Sequence, residues 1–290
     1  MKPYHPGMQV DRGVRGKLCI ALMAGLIVAD VAGAVHDPDV TDLEFKCQAG
    51  TSKADAKFTA AAAKCIDKCI QNARRVPPQN PEADCFPPYG GATFQCLGDP
   101  LKGAVVKAAV SIAKACLEVS GKTNCPECYS ARNGAPDCAG WGFDLIVNGL
   151  SNPTATSRSA QLESLLFIFC DDGGSSQTPA ENKCERGLGK TLVKFSGCKL
   201  KCYDKCNAAM HAGGIPPGSC NPPSPSDPAT FACLFDVAKG CEAKAIASCN
   251  KACVTPPADA PECYGFTCAS IVSLVETAID GNVPGTYCYD

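Results

Sequence analysis

The feature that most restricts this chain is an order of cysteines that recurs after a shift of 137 residues. Cys47, Cys65, Cys69, Cys96 and Cys116 fall on Cys184, Cys202, Cys206, Cys233 and Cys253. Their neighbours agree too. Lys57-Phe58 matches Lys194-Phe195, Cys65-Ile66-Asp67-Lys68-Cys69 matches Cys202-Tyr203-Asp204-Lys205-Cys206, and Thr93-Phe94 matches Thr230-Phe231. Small gaps bring Cys85 onto Cys220, Pro126-Glu127-Cys128-Tyr129 onto Pro261-Glu262-Cys263-Tyr264, Cys138 onto Cys268 and Cys170 onto Cys288. Nine cysteines repeating in order read as two tandem copies of one module. The boundary falls in residues 171–180, where Gly, Ser, Thr and Pro gather. The copies are then residues 35–170 and 181–290, with ten and twelve cysteines. Both counts are even, so each copy can close its own disulfides; swapped pairs between copies satisfy the same parity.

The apolar content of 46% overstates the core, because it includes 23 cysteines and many alanines while aromatics reach only 7%. Alanine buries little area, and burial stabilises by roughly 25 cal/mol per Å². Cysteine must therefore carry part of the stability, as disulfides in an exported chain or as metal ligands in a reducing one. The N-terminus favours export. Lys2, Arg12, Arg15 and Lys17 precede an apolar run from Leu18 to Val35 that contains Ala32-Gly33-Ala34, the order of a signal peptide with a small-residue cleavage site. The run is short for a membrane span and contains Asp30, so retention as an anchor is the lesser reading. Gly16-Lys17-Leu18 before Cys19 is not a lipobox. Cleavage after Ala34 leaves 22 cysteines and a net charge of −4, which offers no attraction for nucleic acid or an anionic membrane surface.

The expected fold class is all-α: two disulfide-stapled helical-hairpin modules with Pro-rich loops. Residues 52–75 are rich in Ala and Lys and lack Gly and Pro, which predicts a helix. Val105, Ala108, Ile112 and Ala115 recur at helical spacing after Leu101. Pro77-Pro78, Pro81 and Pro87-Pro88 break the first copy, and Pro216-Pro217 and Pro222-Pro223 break the second. A third, more apolar segment follows in each copy, at 141–150 and 271–279. No run alternates convincingly enough to predict a sheet.

The spacing C-x3-C sets two sulfurs one turn apart on one helix face. It occurs twice in the second copy, at Cys202/Cys206 and Cys249/Cys253. Two antiparallel helices so marked can be joined by rungs Cys202–Cys253 and Cys206–Cys249. In these four cysteines the chain resembles the α-hairpinin scaffold of small plant defence and inhibitor peptides, although about forty residues separate the two motifs. The first copy has Ile112 in place of Cys249, so Cys65–Cys116 is expected there, with Cys69 left for another partner such as Cys125. Cys198 and Cys241 would add a further bridge. Across most of both copies the order of cysteines, Ala/Lys helices and Pro-rich loops also resembles cysteine-rich repeat proteins predicted to be secreted by bacteria. That likeness implies no activity.

Chemistry-bearing motifs are few. Cys125-Pro126-Glu127-Cys128 is a C-x-x-C, but no strand precedes it as a thioredoxin-like site requires, and Ala260 replaces Cys125 in the second copy. Structural disulfides explain it better than redox chemistry. Tyr129 stands where covalent haem attachment needs histidine. Three histidines (His5, His36 and His211) are too few for mixed Cys/His zinc sites, and no metal is expected. A Ser/His/Asp arrangement would have to rest on His211, which reads as a solvated loop residue. Asp171-Asp172 lies in the linker, where hydration explains it, and no phosphate-binding glycine motif occurs. The expectation is therefore a non-enzyme without catalytic residues, cofactor or metal. It would be a secreted or periplasmic scaffold that binds a protein or surface ligand through its variable loops, 86–91 and 221–228. Two alternatives are a saposin-like lipid-interacting protein, motivated by Trp141, Phe143, Val272 and Leu274, and a thiol redox protein using Cys125 and Cys128.

Overall fold

Two long helices form the frame of this computed structural model, which describes residues 40–75, 78–79, 82–86, 89–116, 126, 178–253 and 267–288. Helix α1 is Asp42–Ala73, the next elements are a 3-10 turn (Glu82–Cys85), α2 (Gly91–Gly98) and α3 (Ala104–Cys116). The second copy supplies α4 (Pro179–His211), α5 (Pro228–Phe235), α6 (Cys241–Ala252) and α7 (Cys268–Tyr287). Every regular element among the described residues is helical, so the all-α class holds. Helices α1 and α4 have 32 and 33 residues and are each about 50 Å long.

Both open with a capping box at the same repeat position. Thr41 accepts from the Glu44 amide while the Glu44 carboxylate accepts from the Thr41 amide, and Thr178 and Glu181 do the same. Two backbone donors of the first turn are thereby satisfied reciprocally. This signature starts α1 ten residues before the stretch read as helical from composition. It also absorbs Pro179 and Ala180 of the expected linker into the first turn of α4. Residues 171–177 of the linker, the signal segment 1–34, Cys125, Cys128 and the segment 141–150 lie outside the described residues.

The chain returns along each long helix and is pinned to it in reverse order. In the second copy Cys206 bonds Cys220, Cys202 bonds Cys233, Cys198 bonds Cys241 and Cys184 bonds Cys253. In the first, Cys69 bonds Cys85, Cys65 bonds Cys96 and Cys47 bonds Cys116. Three bonds thus occupy equivalent positions, two of them with identical sequence separations of 69 and 31. Ala61 and Ala104 stand where the second copy has Cys198 and Cys241. Cys249 bonds Cys268 at the start of α7.

These pairings correct the three expected rungs. Cys202–Cys253, Cys206–Cys249 and Cys65–Cys116 do not form. The C-x3-C sulfurs do share a face, but α4 is too long for one short partner helix to cover. Cys202 and Cys206, near the end of α4, meet the first elements of the returning chain. Helix α6 packs on the earlier part of α4, between Cys198 and Cys184, so Cys253 reaches Cys184. Cys69 finds Cys85 in the 3-10 turn rather than Cys125.

At the far end of each nest the helices approach unusually closely. The Cα atoms of Cys47 and Cys116, and of Cys184 and Cys253, are 4.5 Å apart in both cases. Glycine permits this. A Cβ on Gly50 would lie 2.1 Å from Cβ of Ala115, and one on Gly187 would lie 2.3 Å from Cβ of Ala252. Gly187→Leu must push α6 off α4 and is expected to lower stability by about 2–3 kcal/mol. A urea melt under non-reducing conditions reads the effect; an unchanged midpoint would show that the glycine does not set the spacing.

The two copies are not separate bodies. Their described residues fall in one compact unit, and a single core cluster draws on both copies. Helices α1 and α4 run antiparallel. Gln71, late in α1, donates to Asn182, early in α4 (2.9 Å), while Asp42 at the start of α1 meets His211 at the end of α4 (2.8 Å). Between them lie Arg74–Glu185 (2.9 Å, both largely buried) and Arg186–Asp67 (3.1 Å). Helix α7 packs on both long helices and buries Val272, Val275, Ile279, Val283 and Tyr287 at helical spacing. Tyr287 and Ser52 both donate to Asp204, which joins α7, α1 and α4 through one carboxylate.

Candidate functional site

Two arrangements stand out: a buried charged cluster between α4 and α7, and a pair of exposed apolar corners, one in each copy.

The cluster centres on Lys199, whose side chain is fully buried. Its Nζ lies 2.6 Å from Glu276 Oε1 and 2.9 Å from both oxygens of Asp280. Tyr203, one turn along α4, donates its hydroxyl to Asp280 Oδ1 at 2.9 Å. The rings of Tyr203 and Phe235 each lie 5.9 Å from the ammonium and close the site with apolar surface. Glu276 and Asp280 are four residues apart, so one face of α7 presents both carboxylates. Burial pushes the Asp280 carboxyl above its usual range, against the opposing pull of Lys199. Burial and the neighbouring Glu276 also raise Glu242. In the first copy, Ala62 and Ile66 occupy the positions of Lys199 and Tyr203, and Val105 that of Glu242. The helical frame therefore forms without this cluster. Sequence reasoning missed it, since Lys199 reads as one of many helix-surface lysines.

The corners are the turns that join α2 to α3 and α5 to α6. Asp99 accepts from the amides of Leu101 and Lys102, and Asp236 from those of Ala238 and Lys239, at 2.7–3.0 Å. These backbone donors hold both carboxyls below their usual range. Gly103 and Gly240 close the turns, where a Cβ would meet backbone atoms at 2.6–2.7 Å. On the helix before each turn, Phe94 and Phe231 are 59% and 51% exposed, and Leu101 and Val237 at the tips are 90% and 94% exposed. Phe94 lies over Gly98 and Phe231 beside Phe235, with ring centroids 5.0 Å apart in the second case. Cys65–Cys96 and Cys202–Cys233 tie the two short helices to α1 and α4.

The loops expected to carry recognition are less available than their composition implies. Phe86 and Tyr89 pack against the core, and burial raises the Tyr89 hydroxyl above its usual range. Pro222 and Pro225 are buried, and the Asp227 amide donates to the Ser219 carbonyl (3.1 Å), closing the second loop on itself. Asp227 then caps α5 through Thr230. The exposed aromatic stands one helix further on. Its signal was present in the repeated Thr93-Phe94 and Thr230-Phe231.

His211 is not a solvated loop residue. It ends α4, stacks on Phe45 at 4.5 Å and faces Asp42 across the junction of the copies. Val272, one of the residues that motivated lipid contact, is fully buried in the shared core. Cys198, Cys202 and Cys241 bring three sulfurs within 4.8 Å of one another, with Cys202 Sγ 3.5 Å from Cys241 Sγ. All three are committed to disulfides and have no thiolate to offer a metal. No described helix is long and apolar enough to cross a membrane. A groove of 390 Å³ between α1 and α4 is lined by Lys64, Arg186, Lys190 and Lys194 over Ala60 and Gly189. No protein-family model matches the chain, and neither does any curated protein or solved structure.

Proposed function

We propose that this chain is an exported, non-catalytic scaffold of two tandem cysteine-rich copies, released by cleavage near Ala34, that binds a protein at a surface outside the cytosol. The eight disulfides among the described residues are consistent with an oxidising extracellular or periplasmic location. The observation that carries the binding role is the duplicated corner. Phe94 and Phe231 expose large apolar side chains at corresponding positions of a cross-linked frame, and the adjoining turns add Leu101 and Val237, one position apart in the repeat. Rigid exposed aromatics supply contact area with little ordering cost, which is why they dominate binding hot spots. Because α1 and α4 are antiparallel, the corners, tied to them at Cys65 and Cys202, fall on opposite halves of the frame, which allows bivalent attachment.

Binding of the purified protein to the isolated surface fraction of the exporting cells tests the reading, with lipid vesicles alongside. The Phe94→Ser/Phe231→Ser double variant is expected to bind about tenfold or more weakly, with each single variant intermediate. Unchanged binding by the double variant refutes the corners as the contact. Binding of the wild type to protein-free vesicles, lost equally in the double variant, would favour the saposin-like alternative.

A further inference from the structure

We propose that Lys199 and Asp280 join in an intramolecular isopeptide bond, with Glu276 moving the protons and Tyr203 holding the oxygen on which negative charge develops. The cluster places one amine in contact with two carboxyl groups, Lys199 Nζ lying 2.6 Å from Glu276 and 2.9 Å from Asp280. Such contact between groups on two packed helices converts a bimolecular condensation into a unimolecular one, with effective molarities that reach about 10⁵–10⁸ M. In bulk water, hydrolysis would still win. Here the ammonium is fully buried, the carboxylates are 16% and 10% exposed, and Tyr203 and Phe235 shield the site, so little solvent water reaches the reacting groups.

The chemistry balances without any oxidant or co-reactant. Lys199 gives one proton to the carboxylate pair, leaving a neutral amine and a protonated Asp280. The amine lone pair attacks Cγ of Asp280, forming the C–N bond while the Tyr203 hydroxyl stabilises the charge gathering on Oδ1. Glu276 takes the second amine proton and delivers it to the departing Oδ2 hydroxyl. The C–O bond breaks and one water leaves. The net change is one ammonium and one carboxylate to one amide and one water.

Asp280 rather than Glu276 is the electrophile, because Tyr203 donates to Asp280 and because burial favours the neutral acid there. Electrostatics points the same way. Two carboxylates and one ammonium buried together are costly to keep charged, and amide formation removes one charge of each sign. The first copy reaches the same helical frame with Ala62 and Ile66 in these places, so packing alone does not require the cluster.

Mass spectrometry of the exported protein decides the matter once its N-terminus is established and every cysteine is reduced and alkylated. The expected intact mass is lower than the sequence mass by one water. Digestion should yield a branched peptide joining Lys199 to Asp280, with no tryptic cut after Lys199. Glu276→Gln, close in shape to the native side chain, is expected to restore the full mass. A wild-type protein at full mass overturns the proposal, and so does a water loss that maps anywhere other than Lys199 and Asp280. If the Gln variant does not fold, the wild-type mass and branched peptide still decide the outcome.

Discussion

Complete reduction in native buffer is expected to abolish the helical circular-dichroism signal of this protein. Cysteines aside, half of the buried apolar side chains described in the first copy are alanines (Ala54, Ala62, Ala63, Ala104 and Ala108), beside Phe58, Ile66, Ile70, Leu97 and Ile112. A folded domain typically exceeds its unfolded chain by only about 5–15 kcal/mol. Each bridge contributes about 2–4 kcal/mol by restricting the denatured chain, less when loops are nested as they are here. Discounted by half, eight such bonds still rival the whole margin. The sequence of events is also expected to be ordered. Cys96 is exposed and Cys233 half-buried, whereas Cys47, Cys184 and Cys85 are fully buried. Cys65–Cys96, with the one exposed sulfur among the described disulfides, should therefore be alkylated first under limiting reductant. A reduced protein that keeps its helical signal and a cooperative thermal transition would show that the core suffices.

Lys199→Met removes both the ammonium and the proposed amide link and leaves Glu276 and a free Asp280 buried without a partner, so the oxidised protein is expected to lose about 3–5 kcal/mol, the usual cost of such uncompensated charge. Glu276 and Asp280 would then face each other across a buried gap four residues apart on α7, and Tyr203 alone would not compensate them. The loss should shrink on acidification. A buried carboxyl whose folded pKa is raised, as that of Asp280 is, binds protons more readily folded than unfolded. Its contribution is therefore favourable at low pH and is lost as pH rises through the folded value. The variant should accordingly gain stability relative to wild type between neutral pH and the ordinary carboxylate range. Replacing all three charges, as Lys199→Met/Glu276→Met/Asp280→Leu, should recover the part due to uncompensated charge. Urea melts at two pH values measure both effects, and a pH-independent loss would assign the cost of Lys199→Met to packing instead.

Several elements were legible because their cause is local. The Ala/Lys run of α1, the spacing of Val105, Ala108 and Ile112 in α3 and the proline breaks between helices depend on neighbours within a few residues. The capping boxes of Thr41 and Thr178 are equally local and could have set the helix starts. The pairing of sulfurs was not legible from the C-x3-C spacing. That spacing states which face two cysteines share, while their partners depend on how far the returning chain has travelled along a 50 Å helix. Lys199 shows the same limit. Among the surrounding lysines of α4 nothing marks it as buried until α7 lays two carboxylates over it.

By itself the sequence determined the helical class, the internal repeat and the wealth of cysteine, since propensity, periodicity and residue count act along the chain. Only the tertiary structure decided that the two copies share one core, with α1 and α4 antiparallel and α7 across both. Only it decided which cysteine meets which, and that one lysine is buried between two acids. Those outcomes depend on groups dozens of residues apart coming within bonding distance, which requires the packed frame.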